Sequence, residues 1–187
     1  MKHLGGWIEG GDPWTHMPDI WGYLVLKYNI SSVLDIGCGT GYNLKWFRDF
    51  RKAHVMGVEG DTNALEKLFI PKENIAVWDY STGPFETKIK YDLCICTEFA
   101  EHVEAQYENN WLHTMKKCRY ILFSHAVPGQ GGYHHVNEQN KDYWIKRFNK
   151  IGMKEDVKET ELFVKSNEII KAPWCRGTLI FLHNENF

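Results

Sequence analysis

The most constraining feature of this sequence is an apolar strand that runs directly into a glycine-rich turn. Residues 33–44 read VLDIGCGTGYNL, in which Asp35 precedes three glycines at alternate positions. Glycine permits a left-handed backbone and a close approach to a ligand, and a helix after the turn offers unpaired N–H groups. Tyr42 stands where the last glycine of a G-x-G-x-x-G dinucleotide turn would be. The segment therefore predicts a strand–turn–helix unit that meets a ligand other than a dinucleotide pyrophosphate.

Strands and helices alternate along most of the chain. Short apolar runs predict strands at 32–36, 54–59, 74–78, 91–96, 120–124, 153–157 and 178–183. Apolar residues at helical spacing predict helices at 19–29, 42–50, 62–69, 102–117 and 141–150. Such alternation indicates parallel strands joined by crossover helices. The predicted fold class is α/β: a single domain with a mostly parallel seven-stranded sheet, an antiparallel closing strand and helices on both faces.

Composition limits the class of protein. The chain has 187 residues, 43% of them hydrophobic, which is enough for one buried core. A formal charge of -2 predicts no extended nucleic-acid surface. No stretch approaches the ~20 apolar residues of a membrane span, and the N-terminus lacks the apolar core of a secretory signal. The five cysteines show no C-x-x-C spacing and predict reduced, buried thiols. We therefore expect a cytoplasmic protein without a membrane partner, whose oligomeric state the sequence leaves open.

Acidic residues stand at the ends of the first three predicted strands, where open α/β sheets bind their ligands. They are Asp35, Glu59 and Asp79. A carboxylate at the end of the second strand can accept hydrogen bonds from both hydroxyls of a ribose. Asp79 can accept one from an exocyclic amine, and the neighbouring rings of Trp78 and Tyr80 can stack on a purine. The three strand ends predict a site for a nucleoside.

The chain resembles the class I S-adenosylmethionine-dependent methyltransferases, which have a Rossmann-like sheet. Four segments carry the resemblance in order: VLDIGCGTGYNL, VMGVEGD, IAVWDYSTGPF and YDLCICTEFAEHVE. The resemblance implies a methyltransferase that uses S-adenosyl-L-methionine. The cofactor-binding residues that it implies are Asp35, Gly37, Cys38, Gly39, Tyr42, Asn43, Glu59, Gly60, Asp79, Tyr80 and Glu98. Among these, Glu59 would meet the ribose, Asp79 the adenine and Glu98 the transferred methyl group.

A second pattern follows the fourth strand, where Glu98, Glu101 and His102 form E-x-x-E-H. On a helix that begins there, the three side chains would share one face. The layout resembles that of small-RNA 3′-terminal 2′-O-methyltransferases, whose E-x-x-E-H and a later histidine bind a metal. Ubiquinone-pathway O-methyltransferases carry a similar segment. The resemblance implies a divalent metal (Mg, Mn, Fe or Zn) on Glu98, Glu101, His102 and His135, with His134 and His125 as alternatives for the last ligand.

Two other interpretations of this segment stay open. In a site without metal, His102 or His135 would act as a general base beside Glu98, so these three residues are the predicted catalytic set. Alternatively, Glu101 is only an acid at the start of a helix, where the helix dipole favours it.

The function predicted from the sequence is O-methylation of a small polar or glycan-like acceptor. The polar loop 127–139, after the fifth strand, offers the amides and rings that a hydroxyl-rich acceptor needs. An RNA 3′-terminal 2′-O-methyltransferase is the alternative enzyme, and a non-catalytic cofactor-binding subunit is the alternative of another class. We expect residues 1–29 to form an arm and a short helix and residues 30–187 to form the methyltransferase domain. In the arm, the segment GGDPWTHMPDIW either folds over the cofactor or seals one end of the core.

Overall fold

The strands of the described part of the chain form one twisted sheet. A computed structural model describes residues 6, 10–166, 175 and 177–187, so residues 1–5 and 7–9 of the predicted arm lie outside the described residues. The strands are β1 (Ser32–Ile36), β2 (His54–Glu59), β3 (Ile75–Val77), β4 (Tyr91–Cys96), β5 (Cys118–Phe123), β6 (Met153–Glu155) and β7 (Ile180–Asn184). Their order in the sheet is β3–β2–β1–β4–β5–β7–β6. Among these strands β7 runs against the other six: it pairs antiparallel with β5 and β6, and the other pairs are parallel, as the α/β prediction requires.

Helices cover both faces of the sheet. They are α1 (Pro18–Tyr28), α2 (Tyr42–Arg51), α3 (Glu108–Met115), α4 (Lys141–Lys150) and α5 (Val157–Lys165). The longest has 11 residues, so no helix in the described part is long enough to cross a lipid bilayer.

The core consists of two layers because neighbouring strand residues point to opposite faces. Trp21 of α1 and Phe47 of α2 pack on the face that carries Val33. Trp111 of α3 packs on the opposite face, which carries Leu34. All five cysteines are buried, as predicted, and none of them forms a disulfide in the structure.

The predicted helix at 102–117 is wrong over its first turns. The chain instead forms two 3₁₀ turns, Ala100–His102 and Ala105–Tyr107, before α3 begins. The carbonyl oxygen of Glu101, which would accept a bond from residue 105 in a helix, accepts bonds from Val136 N–H (2.9 Å) and Asn137 N–H (3.1 Å). Glu98 has a left-handed backbone with φ of 53°. The E-x-x-E-H residues therefore do not share a helix face.

Two further elements, a 3₁₀ helix and α5, differ from the prediction. The predicted helix at 62–69 is instead a 3₁₀ helix, Thr62–Lys67, which ends before Phe69, whose N–H donates to Thr40 O (2.9 Å). The sequence analysis missed α5, although its start carries a recognisable signal. Asp156 is the N-cap, and its Oδ1 accepts a bond from Glu159 N–H (3.1 Å).

Candidate functional site

A cavity lies at the carboxyl ends of β1, β2, β3 and β4, where the sheet topology predicts a ligand. Every residue that the sequence predicts for cofactor binding lines this cavity, and so does His102. Other lining residues that the sequence analysis did not assign to the site include Asp12, Thr15, Thr97, Phe99, Glu104 and Tyr107. Glu104 and Tyr107 escaped prediction because the sequence pattern placed them on a regular helix.

The turn after β1 brings backbone close to the cavity. Gly37 has φ of 76°, and a Cβ added there would lie 2.5 Å from a carbon of the Phe99 ring. Its N–H donates to Val58 O (2.9 Å). The carboxylate of Glu59 holds the next glycine, since its Oε2 accepts from Gly39 N–H (2.8 Å). Only a residue without a side chain fits at position 37, so this glycine is required by the geometry of the turn.

Part of the N-terminal arm forms one wall of the cavity. Asp12 accepts hydrogen bonds from Trp14 N–H (2.8 Å) and from the Thr15 hydroxyl (2.6 Å), which folds the segment into a compact turn. The ring centroid of His16 lies 4.9 Å from that of Tyr42, at the start of α2. Gly11 also lies against the Tyr42 ring. These contacts fix the arm over the glycine turn.

A cluster of metal-binding side chains lies at the edge of the cavity. It consists of Glu101, His102 and His135, each of which offers a ligand atom within 4.8 Å of the others. The ring centroids of the two histidines are 5.2 Å apart. Glu101 is fully buried, and neither of its carboxyl oxygens accepts a hydrogen bond of normal geometry from the described residues. A buried carboxylate in this state is the kind of group that a cation stabilises.

The remaining predicted ligands make other contacts. Glu98 Oε1 accepts from the Ser124 hydroxyl (3.3 Å) and from Cys175 Sγ (3.1 Å), and Glu98 is not a member of the cluster. His134 and His125 are also outside the cluster, which agrees with the preference for His135. The assignment of Glu98 as a ligand stays a prediction.

A family model described as a methyltransferase domain matches residues 19–160, which is most of the chain. The chain belongs to this family. It is a class I S-adenosylmethionine-dependent methyltransferase, and S-adenosyl-L-methionine is its cofactor. No curated protein matches the sequence. The local E-x-x-E-H resemblance is not established by the family match and stays a prediction.

Solved structures of methyltransferases share the fold of this one. DesVI of Streptomyces venezuelae is 11% identical, with a TM-score of 0.68 and coverage of 90% of each chain. SAM-bound CalS10 of Micromonospora echinaspora, an amino pentose methyltransferase, is 13% identical, with a TM-score of 0.65 and coverage of 94% of this chain and 93% of that one. The methyltransferase domain of a bacterial protein, CtHen1, is 13% identical, with a TM-score of 0.58 and coverage of 91% of this chain and 99% of that one. At these identities the likeness concerns the fold.

Burial sets the protonation of the acidic groups in the methyltransferase cavity. It raises the pKa of Asp35 to about 8, with the charge of Glu59 adding to the rise. Burial also raises the pKa of Glu98, against hydrogen bonds from Cys175 and Ser124 that lower it. Burial likewise raises the pKa of Glu101 to about 8. The charge of Glu98 adds to this rise, and hydrogen bonding by nearby backbone groups offsets part of it. Asp35 and Glu101 therefore hold protons at neutral pH unless a positive charge lies close to them.

The histidine of the cluster that lines the cavity is neutral. Burial is the main reason that the pKa of His102 is lowered to about 4, and the nearby His135 lowers it further. A neutral imidazole is the form that binds a metal, while a pKa this low makes His102 a weak general base at neutral pH.

The residues present fit both groups that the family and the pattern imply. The carboxylates that line the cavity suit a sulfonium cation: Asp12, Asp35, Glu59, Asp79, Glu98 and Glu104. Among the described residues that line the cavity there is no lysine or arginine. The cluster combines one carboxylate with two imidazoles, a donor set that suits first-row divalent metals. The observation that fits a metal there is that, among the described residues, none donates a hydrogen bond of normal geometry to the carboxyl oxygens of Glu101.

Proposed function

We propose that this methyltransferase transfers the methyl group of S-adenosyl-L-methionine to a hydroxyl oxygen, assisted by a divalent metal held by Glu101, His102 and His135. The observation that carries the proposal is the fully buried carboxylate of Glu101, which lies beside two histidines and accepts no hydrogen bond of normal geometry within the described part of the chain. His102 belongs to both the cluster and the cavity wall. The metal and the methyl donor would therefore meet at one edge of the cavity.

The reaction needs help at the acceptor rather than at the donor. The carbon–sulfur bond of the sulfonium breaks as the carbon–oxygen bond forms, which releases neutral S-adenosylhomocysteine, and the acceptor hydroxyl gives its proton to solvent water. A bound divalent cation lowers the pKa of such a hydroxyl, as it does that of water. The low pKa of His102 disfavours the route in which this imidazole alone removes the proton. Around the donor, Asp35 and Glu59 would bind the methionine and ribose parts, and Asp79 the adenine.

The charge of the cavity supports a small polar or glycan-like acceptor. Asp12, Glu98 and Glu104 line the cavity together with His102, and no described lysine or arginine lines it. Phosphate groups in the cavity would meet acidic side chains and no described cation, whereas neutral hydroxyls can donate hydrogen bonds to these side chains. Phe99 and Tyr107 add rings against which a sugar can pack.

The N-terminal arm would serve as a lid in this scheme. Asp12 and Thr15 line the cavity, and the arm packs on Tyr42 through Gly11 and His16. A lid excludes water from the reacting groups. The part of the arm before α1 would then cover the cavity, while α1 packs against the core of the methyltransferase domain.

The second candidate function is 2′-O-methylation of an RNA 3′ end. A metal beside the cavity suits two neighbouring hydroxyls, because both oxygens of a diol can bind one cation. The terminal ribose of RNA carries such a diol. Only the last nucleotide needs to enter the cavity, so an extended basic surface is not required.

A methyl-transfer assay with labelled S-adenosyl-L-methionine tests the proposal. The acceptors are sugars, small polar metabolites, and RNA oligonucleotides with either 2′,3′-diol or 2′-deoxy 3′ ends, each with Mn²⁺, with Zn²⁺ or with a chelator. We expect turnover with a metal and a loss of roughly 100-fold or more in Glu101→Gln, since several kcal/mol of stabilisation disappear. The exposed Glu86 provides the control variant Glu86→Gln, which should keep full turnover.

Two results would decide against parts of the proposal. Full turnover with the chelator and in Glu101→Gln would contradict the metal. Methylation of diol-ended RNA with no activity on sugars or small metabolites would promote the second candidate over the first.

A further inference from the structure

One carboxylate organises the loop that carries His135. Oε1 of Glu138 lies 3.0 Å from Nδ1 of His135 and accepts a bond from Gly131 N–H (2.6 Å). Its Oε2 accepts from Gly129 N–H (2.7 Å). The side chains of Glu138 and His135 are 17% and 10% exposed, so both are largely withdrawn from water. The loop therefore closes around Glu138, and His135 is one of the groups that the carboxylate holds.

The contact between Glu138 and His135 selects one tautomer of the imidazole. A neutral imidazole carries one proton, on either Nδ1 or Nε2. A carboxylate can only accept a hydrogen bond, so the proton is held on Nδ1 and Nε2 keeps a free lone pair. A ligand or a base needs such a lone pair.

The other end of the loop is fixed independently. Val136 and Asn137 donate their N–H groups to the carbonyl oxygen of Glu101. Gln139 N–H donates to Ala126 O (3.1 Å). The backbone on either side of Glu138 is thus anchored to the cluster and to the end of β5, and the ring of His135 has Glu138 as the partner of its Nδ1.

We propose that Glu138 is a positioning residue for His135, which it holds in the Nδ1–H tautomer so that Nε2 is available to a metal in the cluster. The inference rests on the proposed function, because Nε2 is a ligand only if the cluster binds a metal. Glu138 would not itself touch the metal or the substrate. Carboxylates that orient a ligating histidine raise metal affinity about 10- to 100-fold.

Histidine nitrogen signals in long-range proton–nitrogen NMR spectra of the metal-free protein report the tautomer directly. The His135 signals are assigned by their loss in His135→Gln. We expect Nδ1–H in the wild type and in Glu138→Gln, whose amide oxygen still accepts a bond. In Glu138→Ala we expect a change to the Nε2–H form that imidazole prefers in water. Glu161→Ala, an exposed change on α5, is the matched control. An Nε2–H tautomer in the wild type, or no change in Glu138→Ala, would overturn the inference.

Titration with Mn²⁺ and with Zn²⁺, followed by calorimetry, separates this inference from the proposed function. If the wild type binds metal, Glu138→Ala should bind about 10- to 100-fold more weakly, while Glu138→Gln should lose less. Equal metal affinity in wild type and Glu138→Ala, at the same melting temperature, would overturn the positioning role and leave the metal site standing. If the wild type binds neither metal, the proposed function fails. The role of Nε2 as a metal ligand then fails too, whatever the NMR spectra show about the tautomer.

Discussion

Oε2 of Glu59 accepts a hydrogen bond from the backbone N–H of Gly39 at 2.8 Å and so ties the end of β2 to the turn after β1. Its Oε1 accepts from Asp61 N–H, also at 2.8 Å. A carboxylate has about four lone-pair sites, so Glu59 can build the turn and still accept bonds from a pair of ribose hydroxyls. The residue predicted to bind the cofactor is thus also part of the framework around it.

Glu59→Gln should weaken binding of S-adenosylhomocysteine by roughly 10- to 100-fold. The amide removes the charge and places an N–H donor against the donor of Gly39 or Asp61. Hydrogen bonds to charged groups are worth about 1.5–3 kcal/mol. Isothermal titration calorimetry measures the affinity, and Glu66→Gln, an exposed change in the neighbouring 3₁₀ helix, is the control. Equal affinity in Glu59→Gln and the wild type would contradict the assignment.

Asp35 should make the cofactor-free protein less stable as pH rises. Its pKa is about 8 in the folded state against an ordinary 3.8, so the folded state keeps a proton that the unfolded chain releases. The stability that this bound proton gives to the folded state is fully present below the ordinary pKa of 3.8 and is lost as pH rises through 8. Each pKa unit corresponds to about 1.4 kcal/mol.

Thermal unfolding of wild type and Asp35→Asn from pH 5 to pH 9 measures this effect. The melting temperature of the wild type should fall more steeply with pH than that of Asp35→Asn, which has no proton to lose. Asp19→Asn, an exposed change in α1, should follow the wild type. Parallel curves for wild type and Asp35→Asn would show that Asp35 does not titrate as a buried acid.

Gly11→Val should displace the arm from the cavity. Gly11 has φ of 81°, and a Cβ there would lie 2.4 Å from the Tyr42 ring. The left-handed backbone alone costs a residue with a side chain about 1–2 kcal/mol. We expect faster proteolysis of the arm and roughly tenfold weaker binding of S-adenosylhomocysteine. Gly10→Val is the control, since a Cβ there has no neighbour within 4 Å among the residues that the structure describes. Unchanged affinity in Gly11→Val would argue that the arm only seals the core.

Glu108→Ala should lower the free energy of unfolding by about 3 kcal/mol, because it leaves a largely buried charge without its partner. Glu108 is 1% exposed and pairs with Nε of Arg147 at 2.7 Å. It also accepts bonds from the hydroxyl of Tyr143 (2.8 Å) and Nδ2 of Asn137 (2.9 Å). Urea denaturation measures the change. Glu86→Ala breaks an exposed contact with His113 and should cost about 0–1 kcal/mol. Similar values for the two variants would contradict the importance of the buried network.

The sequence predicts the elements that local pattern determines. The predicted bounds of β1, β2, β4 and α4 coincide with the observed ones. The helix predicted at 102–117 is wrong at its start. There the carbonyl oxygen of Glu101 accepts its hydrogen bonds from the N–H groups of residues 136 and 137, which are far away in sequence. A periodicity argument sees only neighbours along the chain.

The same distinction applies to the site. Asp35, Glu59 and Asp79 are predictable because parallel strands bring their carboxyl ends to one edge of a sheet. Glu138 and Asp12 are not, because their places depend on how a loop and an arm close. The signal that identifies them is their set of backbone hydrogen bonds, which only the folded chain reveals.

A crystal structure of the protein with S-adenosylhomocysteine bound would locate the methyl donor. We predict that the nucleoside lies across the carboxyl ends of β1, β2 and β3, with its ribose on Glu59, its adenine beside Asp79 and its sulfur towards Glu98. Density for the ligand at another place, or strand ends closed by core side chains with the ligand bound elsewhere, would contradict this assignment.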